Sequence, residues 1–159
     1  MEVDVRLGLL IGAALTNGVL VGATLDQLIK QLPARRTIGV SAYSAYSQAA
    51  DLGNGIPWYA TLGGGGGLLT VAAGVVGLTD SPDGRRAVAL WAMILLTLAH
   101  SAVTGRAAPL NLSQRRAESD DALTRIFNRF ERLQTARAAL QVAALAAAAW
   151  ALIETITQS

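Results

Sequence analysis

Apolar residues fall into four long blocks, at about residues 7–29, 57–78, 87–104 and 133–153. Each is about 18–23 residues long, and about 20 helical residues cross a hydrocarbon core. A core helix of a water-soluble domain is usually shorter and keeps a polar stripe. These blocks have almost none. The pattern predicts four transmembrane helices in one all-α domain over residues 1–159, a polytopic four-helix bundle. The first block is expected to be a span rather than the core of a cleaved leader: Met1-Glu2-Val3-Asp4 before it is acidic, and Asn17 and Asp26 interrupt it.

Between the blocks the chain carries turn and cap signals. Asn54-Gly55-Ile56-Pro57 reads as a turn, with Pro57 at the first helical position of the second span. Ser81-Pro82-Asp83-Gly84 reads as a tight turn. Ser119, with Asp120 and Asp121 behind it, reads as an N-cap with acids in the first turn. Leu123, Ile126, Phe127, Phe130 and Leu133 then recur at helical spacing, with Arg125, Arg129 and Arg132 between them. This amphipathic stretch runs into the fourth span. Together they predict a helix of about 36 residues, about 54 Å long, which extends past the membrane.

The basic residues give an orientation. Lys30, Arg35 and Arg36 follow the first span; Arg106, Arg115, Arg116, Arg125, Arg129 and Arg132 follow the third. Only Arg6, Arg85 and Arg86 lie on the other side. Nine against three predicts a multi-pass protein of the cell membrane with cytoplasmic long loops and outside termini.

Composition narrows the chemistry. The chain has no Cys and a single His, His100. That excludes thiol–disulfide chemistry, Cys-ligated clusters and a multi-His zinc site. The Arg-rich stretch is interleaved with acids and set against the membrane, which argues against a nucleic-acid partner.

Five consecutive glycines, Gly63 to Gly67, open the second span. No strand precedes them and no Lys follows, so they are not a phosphate loop. Leu62 and Leu68 flank them, so they are not a polar linker. In a membrane helix, small residues four apart allow close backbone approach. Gly8, Gly12, Gly18 and Gly22 offer the same device, which predicts that the first two helices pack through these faces. The alternative is that the glycines leave room for a flat ligand or permit a local break.

Polar groups inside the spans are the strongest functional clue, because each is costly unless paired. Asn17, Asp26, Trp58, Tyr59, His100, Gln134 and Arg137 come from all four helices, most of them near the inner interface. Structural readings stand beside a site: an Asp26–Arg137 ion pair, a snorkelling Arg137, a packed His100, a belt of Trp58, Tyr59, Tyr43 and Tyr46, and an interhelical bond from Asn17. For proton transfer, His100 is the first candidate.

Two short stretches resemble a known family. "AAPLN" (107–111) follows the third span, and "RFERLQTARAAL" (129–140) opens the fourth. They are similar to small four-helix membrane proteins, mostly of unknown function, that include the anthrone oxygenases of aromatic polyketide pathways. Relatives tend to show Pro-x-Asn, then an aromatic residue, often a His, and an Arg. Here these are Pro109 and Asn111, Phe130, Gln134 and Arg137. Gln134 departs from the pattern; if that His carries chemistry in relatives, this chain lacks the activity or uses His100. The resemblance implies O₂-dependent oxidation of an anthrone-like phenol with no metal, flavin or other cofactor. His100 with Asp26 would then be the base. Arg137 and Asn111 would stabilise the oxyanion, and Trp58 and Tyr59 would stack on the ring, with Asn17 and Gln134 completing the site. The alternatives are a non-catalytic membrane subunit that binds a partner protein, another copy or lipid through its Gly-rich faces, and a small transporter with a wet path past Asn17.

Overall fold

The computed structural model describes residues 5–157; Met1–Asp4 lie outside them. Among the described residues all regular structure is helical. It forms four long helices: α1 (Val5–Ile38), α2 (Val40–Leu78), α3 (Gly84–Arg116) and α4 (Asp120–Thr157). They run for 34, 39, 33 and 38 residues, and each is long and apolar enough to cross a membrane. α4 packs against α1 and α3, and α2 closes the ring against the same two. Large apolar side chains such as Leu15, Leu68, Trp91, Leu95 and Ile153 remain exposed around the outside. Water disfavours such a belt and lipid does not.

The connections are shorter than expected. The segments anticipated as long loops are helical, because α1 runs on to Ile38 and α2 starts at Val40. The reversal between them rests on Gly39, at φ +88°, where any side chain would be strained. Between α2 and α3, the Asp83 side chain accepts from the backbone N–H of Arg86 (2.8 Å) and caps α3. Before α4, Ser119 Oγ accepts from the N–H of Ala122 (3.2 Å), the cap anticipated from its sequence. The anticipated turn at Asn54–Pro57 is not one. There α2 makes a π-helical turn, Ala50–Asn54, and the chain stays helical through Pro57. The wider turn accommodates the ring and its missing N–H.

Two cores are stacked along the bundle. One, at the end where α1 begins and α4 ends, is made of small and aliphatic residues: Leu10, Ala13, Ala73, Leu90, Met93, Ala148 and their neighbours. The other, towards Gly39 and Ser119, is built on Leu32, Tyr43, Ala107, Leu123, Phe127 and Phe130. Tyr43 and Phe127 meet edge to face, with centroids 4.9 Å apart.

The glycines divide into two groups. A Cβ on Gly66 would lie 2.5 Å from Thr16 Cγ2 of α1. One on Gly74 would lie 2.6 Å from Ile94 Cγ1 of α3, and one on Gly77 2.9 Å from Leu90. These close approaches need glycine. Gly8, Gly18, Gly22, Gly63, Gly64 and Gly65 have nothing within 4 Å, and Gly12 makes only an ordinary contact with Leu69. The anticipated zipper between the α1 glycines and the glycine run therefore reduces to Gly66 and Gly12. The reason is a second π-helical segment, Ala60–Gly65, which resets the helical phase. Gly63 to Gly65 then fall off the face that Gly66, Thr70, Ala73, Gly74 and Gly77 bury. The local break foreseen as an alternative is present in this form.

Candidate functional site

A cavity of about 330 Å³ lies between the two cores. Ligand sites begin at about this size. All four helices reach it: Gln27 from α1; Asp51, Leu52, Ile56, Tyr59 and Ala60 from α2; Thr104, Ala108, Asn111 and Leu112 from α3; Phe130 and Arg137 from α4. Three π-helical segments border it: Gln27–Gln31, Ala50–Asn54 and Ala60–Gly65. Each contributes lining residues or their neighbours. A π turn inserts a residue and re-aims the side chains beside it, a device that recurs at functional sites.

The charged groups of the cavity are unequal. Arg137 donates from Nη1 to Gln134 Oε1 (2.8 Å), a neutral acceptor. Its Nε is buried with no partner. Among the described residues no carboxylate pairs with it. A partly buried cation without a counter-charge is expensive, and an anion in the cavity would offset that cost. On the α2 wall, Asp51 Oδ2 accepts from Gln27 Nε2 (3.2 Å) and Ser47 Oγ (3.0 Å). Its Oδ1 has no hydrogen-bond partner among the described residues and is free to serve the cavity.

A buried relay fixes the polar wall. Gln114, 2% exposed, donates from Nε2 to Asn111 Oδ1 (2.8 Å) and Ser47 Oγ (3.2 Å). Its Oε1 accepts from Ser44 Oγ (3.0 Å). The chain Asp51–Ser47–Gln114–Asn111 ties two cavity residues on different helices to one amide. It also occupies the Asn111 oxygen, so that Asn111 offers the cavity its N–H donors.

The residues singled out from sequence are distributed as follows. Arg137, Tyr59 and Asn111 line the cavity. Gln134 is buried behind it, accepting from Arg137 and donating weakly to the Thr24 carbonyl (3.4 Å). His100 does not line it. Its Nδ1 meets the Arg137 carbonyl at 3.2 Å, so in the neutral ring Nδ1 carries the proton and His100 holds the α4 backbone behind Arg137. Asp26 lies apart. In place of a pair with Arg137 it binds Lys30 one turn on and accepts from Gln31 Nε2 (2.6 Å), on the surface of α1. Trp58 is 54% exposed on the outer face of α2. Asn17 sits about 15 Å further along α1 from Gln27. There it donates to Thr70 Oγ1 (2.8 Å) and the Ala13 carbonyl (2.8 Å) and accepts from Gln141 Nε2 (2.6 Å). It joins three helices.

Asp51 and Gln27 were missed. Asp51 is the sole acid between Asp26 and Asp80. Read as part of a loop it carried no weight; placed on a helix, with Ser47 four residues earlier, it would have. Among the described residues no three His, Asp or Glu side chains are grouped to hold a metal ion.

No family model matches the chain, and neither the curated proteins nor the solved structures contain a match.

Proposed function

We propose that the chain is an integral membrane protein whose cavity binds a flat, lipophilic small molecule and oxidises it with O₂. This is the chemistry implied by the resemblance to the anthrone oxygenases. The observation that carries the reading is that Arg137, without an ion-pair partner among the described residues, lines one ligand-sized cavity together with Asp51, Asn111 and Tyr59. Asp51 Oδ1 takes a proton from the benzylic CH₂ of a phenolic substrate. Arg137 and the Asn111 N–H groups stabilise the resulting oxyanion, and Tyr59 packs on the ring. The electron-rich carbon bonds to O₂, and the peroxide formed is protonated from Asp51. Loss of the remaining C–H proton with hydroxide leaves a carbonyl and one water, so CH₂ plus O₂ becomes C=O plus H₂O. In this reading His100 and Gln134 position Arg137, and Asp26, Trp58 and Asn17 take no part. The Gly39 and Ser119 end, with most of the cations, faces the cytoplasm, and α4 projects past the bilayer there with the other three helices.

The test is O₂ consumption and quinone formation from an anthrone by the protein in lipid nanodiscs. Asp51→Asn and Arg137→Gln are each expected to lower the rate by about 100-fold or more. A wild-type rate no greater than that of heat-inactivated protein contradicts the enzymatic reading. A second reading, a non-catalytic subunit, draws on the unfilled outer glycines Gly8, Gly18 and Gly22. It requires a stoichiometric partner chain that Gly18→Leu displaces.

A further inference from the structure

The lining residues also define where the cavity opens. Its floor is made of buried residues, Gln27, Asp51, Leu52, Asn111 and Phe130. The exposed lining residues are Ile56 and Ala60 on α2 and Ala108 and Leu112 on α3. The opening is therefore a lateral gap between these two helices. α2 meets α3 through Gly66–Leu78 on one side of the gap, and on the other Gln114 and Arg115 of α3 are hydrogen-bonded to Ser44, Ser47 and the Leu52 carbonyl of α2, so the gap is confined to the stretch around Ile56–Ala60. The rim is entirely apolar, and two of its four members are alanines. The one cation of the lining, Arg137 on α4, has no ion-pair partner among the described residues, while the one acid, Asp51 on α2, is held by Gln27 and Ser47 instead.

An apolar rim on the flank of a bundle with an apolar belt faces the acyl chains or their junction with the headgroups, not bulk water. A neutral hydrocarbon would gain nothing from Arg137, and a strongly hydrated polyanion would not pass the rim. We infer that the ligand is a membrane-dissolved organic acid with a single charge, a phenolate or carboxylate on an apolar body. It enters sideways between α2 and α3 and seats its anionic end on Arg137. This rests on the cavity being the functional site, and adds the charge of the ligand and its route.

The absence of cysteine makes a reversible plug practicable. Ala108→Cys and, separately, Ile56→Cys would be modified in nanodiscs with a benzyl methanethiosulfonate and later restored with reductant. The probes are anthracene-9-carboxylate and its neutral analogue anthracene-9-methanol, read by fluorescence. Wild-type protein is expected to bind the carboxylate at least tenfold more tightly than the alcohol. Arg137→Met should abolish that preference. Modification at either cysteine should weaken carboxylate binding at least tenfold, and reduction should restore it, which shows that the fold survived. Equal binding of acid and alcohol overturns the charge assignment. Binding that is lost in Arg137→Met but indifferent to both plugs overturns the lateral route and leaves the cavity reading standing. No binding of either probe by wild-type protein overturns both.

Discussion

Arg137 and Asp51 show what a single residue means in an apolar bundle. A buried cation with one neutral acceptor destabilises the fold that contains it, and replacing such a group by an apolar residue of similar size is often neutral or stabilising. Arg137→Met should therefore leave the thermal midpoint unchanged or raised while it removes ligand binding. A structural arginine would do the reverse, and unfolding with and without ligand separates the two. Gln114 is the opposite case. Its amide serves Asn111, Ser47 and Ser44 from a fully buried position. Gln114→Leu would strand those partners at a cost of about 1–3 kcal/mol, measured as a lowered unfolding midpoint. At this scale the sequence was partly legible. Arg137 and Tyr59 were recognisable because polar groups in an apolar context need a reason, and Asn111 only through the Pro-x-Asn resemblance. Asp51 was not, because the polar stretch before it read as a loop. Asp26, a candidate by the same argument, does not line the cavity and pairs with Lys30 one turn away on the same helix.

The four helices were legible from the apolar blocks, since backbone groups in lipid must be satisfied within a helix. Their true length was not. Residues 30–56 and 105–132 carry the polar and basic residues of a loop but are mostly helical, packed on the second core rather than on lipid. Turn chemistry at Asn54–Pro57 was overridden by a π turn that keeps the chain helical. The glycine run illustrates the same point. Spacing of four in sequence is a face only while the helix stays regular, and Ala60–Gly65 is not regular. Gly74→Ala should cost about 1–3 kcal/mol by overpacking Ile94 and Met93. Gly64→Ala, with nothing near its Cβ, should be neutral or stabilise by about 0.5–1 kcal/mol. Thermal unfolding of both variants in one detergent checks the pair, and equal effects would refute the division of the glycines.

At the scale of the molecule, the helices are about 50–60 Å long, against a hydrocarbon core of about 30 Å. A hydrocarbon core would enclose only part of each, and the cavity lies near where the apolar blocks give way to the basic half. With no native cysteine, Thr79→Cys and Glu118→Cys each report one end. In right-side-out vesicles an impermeant thiol reagent should label Thr79→Cys directly and Glu118→Cys only after permeabilisation; the reverse pattern would invert the orientation. The most direct measurement for the central claim is native mass spectrometry of the protein extracted from its own membrane, with the released small molecules identified, on wild type and Arg137→Met. The account expects one lipophilic acid or phenol per wild-type chain and none on Arg137→Met. An empty wild-type protein, or a ligand retained equally by both, would contradict it.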